Sequence, residues 1–202
     1  MNLHLPTVKP SHNKLTRTTH TLFCIVVIFI TTSFIKPVLQ NHFFVKESKT
    51  IFRSDASLET IVAVSEELKG VIDESNKNFA FRINNNSFKG FNSALQKEHF
   101  NENYLESERN PISTFTGKII DEIDFSKPGI YIVRAKGMLQ LRGIQRERII
   151  RGTLEVKPGF IELKTTFVVM LDDYDIRIPR IVYQKIAPDI HVSIAAKLFK
   201  SN

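Results

Sequence analysis

Tryptophan is absent from this 202-residue sequence, and cysteine occurs once, at Cys24. A lone thiol cannot close an intramolecular disulfide or build a thiolate metal cluster. Cys24 also sits inside an apolar run, with Phe23 before it and Ile25-Val26-Val27 after it. It reads as part of that run, not as a lipidation site, which needs its apolar run in front. Beyond residue 40 there is no thiol at all, so thiol catalysis and disulfide stapling are excluded there and core packing must hold the chain together. Acid is missing from residues 1–40, and glycine and proline number only 8 each. No low-complexity linker and no internal repeat can be found.

The acid-free N-terminus carries Lys9, Lys14, Arg17 and Lys36. Removing those four leaves 24 basic against 21 acidic residues, so most of the +7 net charge belongs to the first 40 residues. The remainder shows no strong basic face of the kind nucleic-acid binding needs. The run Thr21–Ile35 is about fifteen residues, the length of a signal-peptide core and short of the roughly 20 that span a bilayer. Residues 1–40 are therefore expected to be a signal peptide, with a signal anchor through residues 21–35 as the alternative. The expected location is exported, periplasmic or secreted, or anchored at the inner membrane in the second case.

After residue 40 the pattern changes to period two. Phe79, Phe81 and Ile83 alternate with Ala80 and Arg82; Tyr131, Val133, Ala135, Leu139 and Leu141 lie opposite Arg134, Lys136 and Gln140. The same alternation runs through STFTGKIIDEI, GFIELKTTFVVML and DIHVSIAAKLF, and more weakly through HFFVK, KTIFRS, ETIVAVS, LKGVID and ERIIRGTLEV. One apolar face per segment is the mark of half-buried strands. Short turns separate them at Glu74-Ser75-Asn76, Lys127-Pro128-Gly129 and Lys157-Pro158-Gly159. About eight to ten strands without βαβ alternation predict an all-β fold, either an antiparallel up-and-down barrel or a sandwich.

One stretch breaks the alternation: KEHFNENYLESERNP, residues 97–111. Ser93 followed three residues later by Gln96 is a capping box. A helix is predicted over 93–101, with Asn101 and Asn103 loosening its end. Between barrel strands such a helix plugs or covers an opening. Its chemistry has two readings. His99 and Glu102 share a helical face as metal ligands can, and Glu98, Glu102, Glu106 and Glu108 could supply an acid/base pair; or the whole face is simply solvated. His42 and His191 stand alone on strands, so no metal is expected. Arg142, Arg146, Arg148 and Arg151 read either as an anion site or as a basic turn that discourages edge pairing. Sixteen phenylalanines recur on the apolar faces. They read as ordinary core or as the wall of a ligand cavity, which barrels of about eight strands can hold.

The segment FKGFNSALQKEHFNENYLESERNPISTFTGKI resembles the central region of the bacterial YceI-like family, through His99-Phe100, Tyr104, Pro111, Thr114-Phe115 and Gly117. Downstream, Gly137, Leu139, Leu141 and Gly143 are similar to that family's strand-turn-strand, and DYDIRIPRIVYQKIAPDIHVSIAAKL to its closing strands. The likeness runs from about Phe43 to the end and departs at GIQRERII. It implies a lipocalin-like antiparallel barrel over residues 41–202 that holds a long isoprenoid, polyprenyl or quinone-like lipid. The family has no catalytic motif to transfer. The chain is thus expected to be a non-enzymatic carrier, with a side-chain-filled structural barrel and a carboxylate-dependent hydrolase as rivals. The apolar lining is expected from Phe81, Phe100, Phe115, Val133, Leu139, Leu154, Leu163, Phe167 and Ile194, and a headgroup site from Arg142 and Arg146. The expected partner is a long-chain apolar lipid, not nucleic acid, with membrane contact through the N-terminal apolar run.

Overall fold

A computed structural model describes residues 41–201. The expected signal segment, residues 1–40, lies outside the described residues. Nine strands form a single antiparallel sheet that closes on itself: β1 (His42–Asp55), β2 (Thr60–Ser65), β3 (Lys69–Asp73), β4 (Asn78–Asn84), β5 (Ile112–Ile119), β6 (Gly129–Leu141), β7 (Ile144–Lys157), β8 (Phe160–Met170) and β9 (Asp189–Lys200). β2 and β3 pair with different halves of the same edge of β1. They are one interrupted strand, and the barrel has eight strand positions. β1 pairs along its other edge with β9, which closes the ring. Among the described residues no helix is long and apolar enough to cross a membrane.

The two weak segments HFFVK and KTIFRS are one strand. A bulge between Val45 and Glu47 inserts an extra residue. It switches the inward positions from buried Phe43 and half-buried Val45 to buried Thr50 and Ser54, because an inserted residue reverses which face later side chains meet. That is why the alternation looked broken there. The strand over STFTGKIIDEI ends at Ile119, not beyond it. Asp121 leaves the ladder to accept from the Arg134 backbone N–H (2.6 Å) and guanidinium (2.7 Å).

Two hairpins turn on two residues each. Pro158 and Gly159 join β7 to β8, with Gly159 at φ +85°. Arg142 and Gly143 join β6 to β7 with both φ positive, at 50° and 75°. Such a primed turn matches the right-handed strand twist. Arg142 is the uncommon occupant, and its guanidinium is fixed by the Glu106 carboxylate and the Asp175 carbonyl (2.5 Å).

One end of the barrel is packed solid. Phe43, Phe125, Val156, Ile161 and Leu198 are buried together there, with Phe125 against Phe43 at 5.8 Å between ring centres. The loop that carries Phe125 is set by Asp124, which accepts from the Ser126 N–H (3.0 Å) and hydroxyl (2.6 Å) and pairs with Lys127 (3.0 Å). The Ser126 hydroxyl, then the Lys127 ammonium, hold the Asp124 carboxyl down at about 2.

A group depressed on folding stabilises the protein above its unfolded value, and that contribution disappears as the pH falls through the folded one. Asp124→Asn should therefore lower the melting temperature at neutral pH. The gap to wild type should narrow as the pH drops from about 4 toward about 2; thermal scans across that range measure it.

Gly117 and Gly137 face each other across β5 and β6. A Cβ on Gly137 would lie 2.3 Å from the Thr116 carbonyl oxygen, which is backbone and cannot swing away. Gly137→Ala should cost about 1–3 kcal/mol, read as a lower denaturation midpoint with an unchanged slope.

Candidate functional site: an apolar cavity under a clasped helix

At the other end the barrel interior is not filled by side chains. A cavity of about 500 Å³ opens there. The reason lies in the inward-facing residues. Gly152 of β7 stands beside Val133 of β6 and Thr165 of β8; Thr165 stands beside Ile194 of β9, and Ile194 beside Thr50 of β1. Around this belt small side chains replace the large ones needed to reach the barrel axis, and the wall stays thin. All five line the cavity.

Phe81, Phe100, Phe115, Val133, Leu139, Leu154, Leu163, Phe167 and Ile194 all line it as well. The alternation pattern attributed a cavity to the phenylalanines; they shape its wall, but the glycine and threonine positions make the space. Gly152, Thr165 and Thr50 were missed. Their signal was present as small residues at inward positions of otherwise bulky strands. The mouth residues Leu95, Val182 and Ile186 were also missed, because they sit on a single short helix and a 3-10 turn with the loop after it, too short for periodicity to say which side faces the cavity.

The helix predicted over 93–101 exists but runs differently. Its regular part is α1 (Ala94–His99), capped by Ser93, whose hydroxyl accepts from the Gln96 N–H at 3.1 Å. It continues through a wider i→i+5 turn over Phe100–Tyr104, ending with the Leu105 N–H on the Phe100 carbonyl (2.9 Å). Asn101 was expected to loosen the end and instead ties it. Its amide donates to the Lys97 carbonyl (3.0 Å), and its carbonyl accepts from the Ser107 hydroxyl (2.9 Å).

The whole excursion from residue 85 to 113 is clasped at its base. Asn85, 1% exposed, donates to the Asn110 carbonyl (2.7 Å) and accepts from the Ser113 hydroxyl (2.7 Å). Its own N–H reaches the Pro111 carbonyl (2.9 Å). At its tip Phe100 stacks on Phe52 of β1 (5.1 Å, 15°) and packs against Phe88 and Phe91. The polar stretch interrupts the strands because it is a cover, held by one buried amide and one aromatic cluster.

The wall is mainly apolar, and three exposed cations, Arg82, Arg151 and Lys185, border it. Glu59 at the mouth accepts from Asn92 (3.0 Å) and Gln96 (3.0 Å). Those bonds, Asn92 first, hold its carboxyl below the ordinary range, so it is ionised at neutral pH. Burial pushes the Tyr104 phenol up, so it stays neutral there. The Thr50 hydroxyl is buried in the wall without a hydrogen-bond partner among the described residues.

The expected headgroup arginines do not border the cavity. Arg142 is held by Glu106 and Asp175, and Arg146 reaches only the neighbouring Gln145 carbonyl (3.4 Å). Glu98, Glu102, Glu106 and Glu108 also lie off the lining, while His99 borders it. No cluster of three metal-ligating side chains occurs among the described residues.

A buried hydroxyl without a partner costs about 1–3 kcal/mol. Thr50→Val keeps the shape and removes that cost, so the variant should melt higher than wild type by calorimetry.

A model of the YceI-like domain matches residues 31–198. Among solved structures, a polyisoprenoid binding domain from Saccharophagus degradans, implicated in plant cell wall breakdown, is similar at TM-score 0.67 and 12% identity, over 80% of this chain and 99% of that one. BcnA from Burkholderia cenocepacia is similar at TM-score 0.61 and 11% identity, over 74% and 95%. The YCEI protein of Campylobacter jejuni aligns at TM-score 0.51 and 16% identity, over 65% and 78%. At these identities the likeness is one of fold. Comparison with curated proteins finds no match.

Proposed function

The chain belongs to the YceI-like domain family, and on that premise we propose that it is a non-catalytic lipid carrier. It takes a long apolar chain, of isoprenoid, polyprenyl or quinone type, into the barrel. The observation that carries this reading is the cavity of about 500 Å³ with an almost wholly apolar wall. That volume falls within the roughly 300–1,000 Å³ of small-molecule sites. The similar Saccharophagus degradans structure, a polyisoprenoid binding domain, supports the isoprenoid class. The basic, acid-free lead and the apolar run Thr21–Ile35 support an exported location, by a cleaved signal peptide or an anchor.

The cations that border the cavity, Arg82, Arg151 and Lys185, are all exposed at its edge while the wall itself is mainly apolar, so selectivity comes chiefly from the tail. Each CH₂ transferred from water to such a lining contributes about 0.8 kcal/mol, close to fourfold in affinity. Association itself costs about 4–15 kcal/mol. Short chains therefore bind poorly and long ones well.

The test is a tail-length series of isoprenoid alcohols, delivered from detergent and read by native mass spectrometry with extraction of bound lipid. Affinity should climb steeply with length and change little with the headgroup. Thr165→Phe places a ring at mid-belt, where Gly152 and Thr50 leave room. It should cut binding of the longest tails most while leaving the melting temperature near wild type. A folded Thr165→Phe variant that binds every length like wild type would sink the reading.

A further inference from the structure

Resting on the carrier reading above, we propose that the rim of the cavity mouth is a docking surface for an anionic lipid bilayer, through which the chain is loaded and unloaded. Three segments form the rim: residues 57–59, the start of α1, and the 3-10 turn Arg180–Val182 together with residues 183–186. They are tied together. The Leu58 N–H donates to the Gln184 carbonyl (2.9 Å), and Glu59 holds Asn92 and Gln96 (3.0 Å each).

On this rim the apolar side chains divide into two sets. Val182 and Ile186 border the cavity, as Leu95 does. Ile181 is 91% exposed, Leu58 68%, Tyr183 64% and Leu95 57%. The turn is not loose; the Val182 N–H bonds the Pro179 carbonyl (3.0 Å) and the Lys185 N–H bonds the Val182 carbonyl (2.8 Å). Large apolar groups are thus held outward by a hydrogen-bonded turn, continuous with an apolar interior. Isolated exposed apolar residues need no explanation, but a grouped set at the edge of a cavity does.

Charge selects the occupant. Between Ile176 and Pro188 the sequence has Arg177, Arg180 and Lys185 and no carboxylate. All three are exposed, and none pairs with a carboxylate within 4.0 Å among the described residues. Glu59, the rim carboxylate, is bonded by Asn92 and Gln96 and has Lys185 near enough to offset its charge, which leaves Arg177 and Arg180 in excess; Glu98 lies on α1 off the cavity lining. Apolar tips with a tyrosine and cations at headgroup level are the composition of an interfacial surface. Each cation near an anionic leaflet contributes about 1 kcal/mol, whereas a neutral protein partner would gain nothing from them. Docked this way, a tail passes from bilayer to cavity without crossing water.

The absence of tryptophan makes the test specific even if another part of the chain holds it at the vesicle. Ile181→Trp in the full chain gives one indole, read with vesicles of phosphatidylglycerol and phosphatidylcholine carrying brominated acyl chains. Its emission should shift to the blue and be quenched several-fold more than that of Ile132→Trp, whose position on the outer wall is 79% exposed. Adding Arg177→Gln and Arg180→Gln, neither of which borders the cavity, should lower the docked-to-undocked ratio by roughly 30-fold at low salt. Lipid delivered from detergent should still load this triple variant. Equal quenching at 132 and 181, or none at either, overturns the docking surface. So does a blue shift that grows with protein concentration without vesicles, which would mean that a second copy covers the rim. Lipid loading from detergent reports on the carrier reading alone, so a protein that loads lipid but shows no quenching at 181 loses only the docking surface.

Discussion

A closed barrel of eight strands encloses a fixed width, and side chains must reach its axis or leave it open. Everything else in this protein depends on where they do. At one end Phe43, Phe125, Ile161 and Leu198 meet and the interior is solid. In the belt of Gly152, Thr165 and Thr50 they do not meet. The volume so created would be water-filled or collapsed in a soft fold. Here β6, β7, β8, β9 and β1 are hydrogen-bonded in series around the belt, so the backbone on that side cannot move in to fill it.

An open end brings a second requirement. The wall residue Phe52 would face water without the excursion between β4 and β5, which packs Phe88, Phe91 and Phe100 against it. Covering Phe52 with a chain segment puts backbone polar groups near an apolar site. Asn85 is the solution to that problem, serving two backbone carbonyls and one hydroxyl from a single buried position. Apolar stacking by Phe100 then sets the cover over the opening. Polar clasp and aromatic contact act at opposite ends of the same segment, so the cover is anchored without filling the space it shields.

The strands were legible because period-two patterning reports burial directly. Phe81, Val133 and Phe167 were placed correctly on the inner face by alternation alone. The bulge at Val45–Glu47 hid the continuity of β1, because one inserted residue reverses the pattern and mimics two short strands. The cap at Ser93 was readable since its signal is local. Asn101 was not, since the same side chain that ends a helix when it meets solvent extends one when Ser107 returns to it. The cavity was expected for a reason only half right: bulky residues advertise themselves in a sequence, while space is made by the small ones. Arg142 looked like an available cation because nothing local reveals that Glu106, thirty-six residues upstream, comes back to meet it.

Closure of the sheet joins β1 to β9, the first and last strands of the described fold. In kinetic terms, the contact that completes the ring spans almost the whole domain, and loop closure over such a distance must be met before it is rewarded. Until the C-terminal strand arrives, the nascent chain is an open meander with two unpaired edges and an unclosed apolar face, a state prone to pairing with its neighbours. The barrel is therefore completed only once β9 has been made.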